Sequence, residues 1–430
     1  MVLSDRWWVV LLLGFYAGGL FRRWALPLLS FPFALHLSMA SPNIQSWNLI
    51  VSRGSTSNAL SPIPDSIDVS GGRFSIDWSA WNDGPSSGMK CLTIDTGAMK
   101  TTLLPARGMG IWKCWSGNTE LGWQSPVRGP VHPSLVPVGD PSGIGWLEGF
   151  DELLVRCGLL SNGAPEFTDQ GNVRYSVHGR IANLPAHSLR VEVDAQAGVL
   201  DVIGTVTESR FLVYTLELES RIRFKVNSSE IEITDKVTNP LTSPGTMQLL
   251  YHINLGQPLL QAGSKLVAAL ETVAPRDARA AEGIGDWNTC QGPQDGYREQ
   301  VYYTTPLADE NHWTEAMLTN SEGSLGYSVH FDTRTLPCLN FWKNTAGVED
   351  GYVLGIEPAT GFPNTKSFEE QQGRVVRLQG GQSRTFRLKL QPHWNQEDVG
   401  RAKQRIQILQ SKTMLTESTP KLGWSPGASS

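Results

Sequence analysis

Apolar residues at every second position dominate the middle and end of this chain. Leu189, Val191 and Val193 alternate with polar neighbours, as do Leu212, Tyr214, Leu216 and Leu218, followed by Ile222, Phe224 and Val226. Asn227-Ser228-Ser229 supplies a turn signal before Ile231 and Ile233 resume the alternation. Phe386, Leu388 and Leu390 repeat it after the Gly380-Gly381 turn. Side chains on a strand point to opposite faces in turn, so each segment has one apolar and one polar face. Such segments, separated by Gly, Asn, Ser and Pro clusters, build antiparallel sheets that each bury one face. The fold class predicted is all-β, a sandwich or barrel, and the length favours a large antiparallel two-sheet sandwich.

Helix is scarce. One helix is predicted after Asn395, with Glu397 and Asp398 in its first turn and Val399, Ala402, Ile406 and Leu409 on one face, set to pack on the outside of the β-body. Residues 53–90 read as an irregular lead-in with a few short strands. No repeat or domain boundary interrupts Ile44 to Gln391, so residues 44–411 are taken as one domain. Residues 412–430, polar and rich in Ser, Thr, Pro and Gly, are expected to be disordered.

Residues 1–43 stand apart. Trp7 to Phe21 is apolar, Arg22-Arg23 interrupts, and Trp24 to Ala40 is largely apolar again. Each run falls short of the ~20 residues of a membrane helix, and Pro27 and Pro32 weaken the second as a helix. Three readings stay open: a late-starting signal peptide ending at Ser38-Met39-Ala40, a membrane-associated segment, or sequence upstream of the true start. Membrane contact is expected only if this segment is genuine.

Five cysteines, Cys91, Cys114, Cys157, Cys290 and Cys338, are widely spaced with no CxxC pair. That argues against a disulfide framework and a zinc site and for buried thiols, which favours the cytoplasm, with export or membrane attachment left open by residues 1–43. Asp and Glu number 41 against 36 Lys and Arg, with no basic block, so nucleic acid is excluded as an expected partner. Fifteen tryptophans are many, and serve equally as core filler or as platforms for sugar rings. Nothing in the sequence sets the oligomeric state.

Four segments carry candidate chemistry. In Tyr251-His252-Ile253-Asn254-Leu255-Gly256, Tyr251 and Ile253 take one face of a strand and His252 and Asn254 the other. An imidazole on the polar face of a strand is a candidate proton donor near neutral pH. Gly355-Ile356-Glu357-Pro358-Ala359-Thr360-Gly361 places a carboxylate where a strand gives way to a loop. Ser176-Val177-His178-Gly179-Arg180 puts a His and an Arg around a glycine, and Ala106-Arg107-Gly108-Met109-Gly110 supplies a second Arg. Glu148, Asp151 and Glu152 form an acidic cluster read as a solvated loop, with Asp151 left as a residue of the cleft mouth. His132, His187, His312, His330 and His393 lie in no motif.

The order of these segments resembles the galactose mutarotase-like superfamily of aldose 1-epimerases, and more closely its uncharacterised, domain-of-unknown-function branch. Further landmarks are Cys157-Gly158-Leu159, Asn162-Gly163-Ala164-Pro165, Glu299-Gln300-Val301-Tyr302, Trp342-Lys343 and Phe362-Pro363-Asn364-Thr365. The resemblance covers about Ile44 to Gln391. It implies a β-supersandwich with a sugar-binding cleft and no cofactor or metal. It also implies that Glu357 removes the anomeric hydroxyl proton, His252 protonates the ring oxygen, and His178 assists. Arg107 would bind sugar hydroxyls, with Arg180 and Lys343 as additional contacts. The aspartate that binds hydroxyls in mutarotases has no clear counterpart; Asp286, Asp295 and Asp309 all compete. The expected partner is therefore a sugar or sugar derivative, with modified, acidic or phosphorylated sugars included. The expected function is anomer interconversion by acid–base ring opening. A non-catalytic carbohydrate-binding protein is the alternative, ahead of a β-sandwich hydrolase or lyase.

Overall fold

The computed structural model describes residues 44–54 and 59–428. The signal-peptide, membrane-segment and upstream-start readings of residues 1–43 therefore lie outside the described residues. Two large sheets account for nearly all the strands. The first has nine: Ile44–Ile50, Ser188–Asp194, Val199–Arg210, Tyr214–Lys225, Ile231–Thr238, Ser383–His393, Gly326–Asp332, Trp313–Thr319 and Lys265–Ala268, in that spatial order. Its neighbours all pair antiparallel.

The period-two residues do what their spacing demands. Leu189, Val191, Val193, Leu216, Leu218, Ile222, Phe224, Ile231, Ile233, Phe386, Leu388 and Leu390 are all buried. They meet Leu92, Ile94, Leu103, Ile111, Leu154, Tyr251, Ile253, Phe341 and Ile356 from the second sheet in one continuous core. Leu212 is the exception. It sits with Phe211 and Val213 in the hairpin tip between two long strands, 89% exposed with φ of 64°, so the alternation begins at Tyr214.

The second sheet holds fourteen strands among the described residues. Five of them carry the site: β1 (Leu154–Leu159), β2 (Gly245–Leu255), β3 (Gln300–Pro306), β4 (Cys338–Asn344) and β5 (Val353–Ala359). Their spatial order is β1-β2-β5-β4-β3, antiparallel throughout. A buried ion pair joins the sheets behind the site. The Arg156 guanidinium on β1 donates to both Asp235 oxygens and to Ser220 Oγ, and the Tyr251 hydroxyl donates to Asp235 at 2.9 Å.

Residues 53–90 include a nine-residue strand, Gly72–Ala80, built into the second sheet. The predicted helix forms over Gln396–Leu409. Asn395 caps it by accepting from Asp398 N–H at 2.9 Å, and Val399, Ala402 and Ile406 pack with Met317 and Ala269. The expected disordered tail is corrected over its described part. Leu415–Thr416 adds a parallel strand beside Thr272–Val273, Trp424 packs on Phe362 with centroids 4.8 Å apart, and the Trp424 carbonyl accepts from Asn364 Nδ2 at 2.8 Å. One tryptophan and a short strand anchor a segment whose composition alone argues for disorder. The five cysteines are buried and free. No helix among the described residues is long and apolar enough to cross a membrane.

Candidate active site

Register brings the chemistry together. The pairing that sets Leu250 against Ala359 and Ile253 against Ile356 puts His252 of β2 opposite Glu357 of β5. On their other sides His252 faces Val155 and Glu357 faces Asn340. One row across the sheet therefore reads Val155, His252, Glu357, Asn340. Tyr251 and Ile253, on the opposite face, enter the core as the alternation predicts.

His252 Nε2 lies 3.1 Å from Glu357 Oε1, and both side chains are nearly closed to solvent, at 5% and 3% exposed. The imidazole orientation is fixed from behind. Asn254 Nδ2 donates to the Glu152 carbonyl at 2.9 Å, so its Oδ1 is the acceptor for His252 Nδ1–H at 2.6 Å. A neutral His252 then presents a bare Nε2 to Glu357. Two acceptors do not approach to 3.1 Å without a proton, so the pair holds one. Burial pushes Glu357 up to about 8, reinforced by the Glu299 charge and opposed by Arg276. Burial also drives His252 well below its usual range, with His178 adding to the shift and Asn254 opposing it. At neutral pH the proton rests on Glu357.

Gly355, two residues before Glu357, makes room for this contact. A Cβ there would lie 2.8 Å from Glu357 Oε1 and 3.1 Å from His252 Cε1. Aromatic rings enclose the pair: Phe150, Trp342 and His178 have centroids 5.1, 5.3 and 5.5 Å from the His252 ring. His178 adopts φ of 57° and its Nδ1 donates to the Asn162 carbonyl at 3.0 Å, leaving Nε2 as an acceptor; burial lowers its pKa. Trp146 packs edge-on against it at 4.7 Å.

Three sequence-predicted contacts stand elsewhere. Arg107 is 1% exposed and pairs with buried Glu152. It also donates to Asn183 Oδ1 and the Gly149 carbonyl, each at 2.7 Å, and to the Val131 carbonyl at 3.2 Å. It is an internal clamp on the Gly149–Glu152 segment, and that segment in turn holds Asn254. Lys343 is buried on the core face of β4, its Nζ donating to the Asp286 carbonyl at 3.0 Å. Its neighbour Trp342 takes the site face. Arg180 lines a separate pocket with Glu208 and Tyr214.

The acidic loop is also corrected: only Glu148 is exposed. Glu152 is buried against Arg107, and buried Asp151, pushed up to about 7 by desolvation, accepts from Trp112 Nε1 at 2.8 Å. Asp309 caps its own turn, accepting from Trp313 N–H at 2.8 Å, and the Asp286 carbonyl holds Lys343. The acidic residue linked to the site is instead Glu299. It accepts from Trp342 Nε1 at 2.6 Å and from Arg276 Nη2 at 3.0 Å, half-exposed beside the pair.

Sequence reasoning also missed a set of amides. Asn340 Oδ1, both amide ends of Gln248 and Asn162, and Trp146 Nε1 are buried without a hydrogen-bond partner among the described residues. Gln248 shares the site face with His252 by parity, a signal present in the sequence; Asn340 is found only from register. Buried polar atoms without partners are costly in water-free surroundings, so these side chains have hydrogen-bonding capacity for a polar guest. Among the described residues no group of three His, Cys, Asp or Glu is placed to hold a metal ion.

The two-sheet antiparallel β-sandwich is the fold found in solved galactose mutarotase-like proteins. The chain belongs to the family described as Domain of unknown function (DUF4432), which it matches over residues 86–391. It is 34% identical to a Klebsiella pneumoniae protein named a "putative aldose 1-epimerase", with a TM-score of 0.82 over 88% of this chain and 99% of that one. A galactose mutarotase-like protein from Clostridium acetobutylicum shares the fold at 12% identity, with a TM-score of 0.50 over 74% of this chain and 98% of that one. No curated protein matches.

Proposed function

We propose that the protein is a sugar-ring isomerase that interconverts the anomers of an aldose. The observation that carries this reading is the His252–Glu357 contact at 3.1 Å, a buried acid–base pair holding one proton. Anomer exchange needs a proton taken from the anomeric hydroxyl and one given to the ring oxygen. A pair with one proton and one vacant lone pair supplies both without changing its total.

In this reading the sugar enters between the half-buried rings of His178 and Trp342. Transfer of the shared proton from Glu357 to His252 converts the resting neutral pair into carboxylate and imidazolium. Glu357 then accepts the anomeric proton as His252 protonates the ring oxygen, the ring opens, and the aldehyde turns before reclosure. Each positioned group contributes roughly 10²–10⁴-fold. His178 Nε2 and Asn340 Oδ1 accept from sugar hydroxyls, the free amide of Gln248 can donate to a sugar oxygen, and Trp342 offers a stacking face.

The test is α-to-β exchange of a panel of aldoses followed by NMR, with Glu357→Gln and His252→Asn as controls. Saturable sugar binding with no acceleration over buffer would support a carbohydrate-binding protein instead.

A further inference from the structure

The loop that carries His178 also walls a second pocket. This pocket, about 750 Å³, is lined by Ser161, Arg174, Gly179, Arg180, Glu208 and Arg210 among others. His252 and Glu357 are not part of its lining.

Its charges do not cancel. Three guanidinium groups line it against one carboxylate, and both oxygens of that carboxylate are engaged. Glu208 Oε2 accepts the Leu159 N–H at 2.6 Å and Oε1 accepts the Tyr214 hydroxyl at 2.9 Å. Arg174 pairs at 3.1 Å with Glu166, while the Lys366 ammonium lies 5.2 Å from the ring of Tyr175, another lining residue. Counting these neighbours, with Glu370 also close to the Lys366 ammonium, four cations stand against three carboxylates. Arg210 is exposed and has no ion-pair partner among the described residues. The Ser161 hydroxyl is buried in the wall with no hydrogen-bond partner. Arginine forks and a free hydroxyl suit a planar or tetrahedral oxyanion.

We propose that this pocket is an anion site that takes the carboxylate or phosphate group of a saccharide. The saccharide part rests on the function proposed above; the anion part does not. Arg180 is two residues from His178, so their Cα atoms are at most about 7 Å apart, and the pocket shares the His178 loop with the proposed reaction centre. The anion is either the charged substituent of the substrate or a separate ligand that fixes the His178 loop.

Calorimetric titration of the whole protein with inorganic phosphate, glucuronate, glucose 6-phosphate and glucose tests this. The anionic ligands are expected to bind at least tenfold more tightly than glucose, and Arg180→Gln and Arg210→Gln each to weaken them at least tenfold. Arg210 is exposed, so its variant does not endanger the fold. Glu357→Gln is expected to keep anion binding, which separates this proposal from failure of the isomerase reading. If Arg210→Gln slows anomer exchange of glucose 6-phosphate or glucuronate more than that of glucose, the anion is the substrate's own. If phosphate alone alters glucose exchange in the wild type but not in Arg210→Gln, the ligand is separate. Anions binding no tighter than glucose, or binding equally well to both arginine variants, would overturn the proposal.

Discussion

His252 of β2 and Glu357 of β5 oppose each other across two antiparallel strands, Nε2 to Oε1 3.1 Å apart, with a single proton between them. That proton count sets the pH behaviour. Glu357 is held up to about 8 and His252 well below 6.5, both by burial. Above about pH 8 the pair loses its proton and has no acid; well below pH 6.5 it gains a second and has no base. Activity is expected to be flat around neutrality, to fall as pH passes about 8, and to fall again only in distinctly acid solution. A pH–rate profile of anomer exchange checks both limbs, and an alkaline plateau extending past pH 9 would contradict the assignment.

In the proposed reaction Asn254 acts through His252 rather than on a sugar. Its Oδ1 holds Nδ1–H and keeps Nε2 free for the shared proton. Asn254→Ala allows the other tautomer, and kcat is expected to drop by roughly 10–100-fold with KM little changed. A KM effect alone would make Asn254 a sugar contact instead.

Gly355→Ala pushes a methyl into Glu357 Oε1 and His252 Cε1, at 2.8 and 3.1 Å. It would also crowd Trp342 Cβ at 3.2 Å, so the variant should lose about 1–3 kcal/mol of stability while exchange falls far more than that loss accounts for. Wild-type activity in this variant would show that the close contact is dispensable.

Arg107 tests the corrected assignment. Removing one partner of a buried ion pair typically costs about 3–5 kcal/mol, so Arg107→Met should lower Tm by many degrees or prevent folding, with denaturation as the readout. A stable variant with raised KM would restore Arg107 to the sugar.

The all-β class and the inward faces of the strands are legible from the sequence, because a period of two has one structural meaning when one face is buried. The same rule read within a single strand separates Tyr251 from His252. It fails at Trp342-Lys343, because parity names two faces but does not say which is the core. Register with Glu357 through Asn340 settles that: Trp342 faces the site and Lys343 the interior. Arg107 among glycines looks like a ligand contact until its partners are known. Those partners, Glu152, Asn183, Gly149 and Val131, come from segments 24 to 76 residues away, beyond any local pattern. Glu299 stood in a recognised segment, yet its link to Trp342 exists only because β3 and β4 are neighbours. The tail escaped for a related reason: composition averages over residues, whereas Trp424 alone finds a seat on Phe362.

The most direct measurement is NMR exchange between α and β anomers of neutral and anionic aldoses, comparing wild type with Glu357→Gln and His252→Asn. The wild type should accelerate exchange of at least one sugar well above buffer, and each variant should lose roughly 10²–10⁴-fold while remaining folded. Acceleration that survives in both folded variants would contradict the His252–Glu357 pair as the reaction centre.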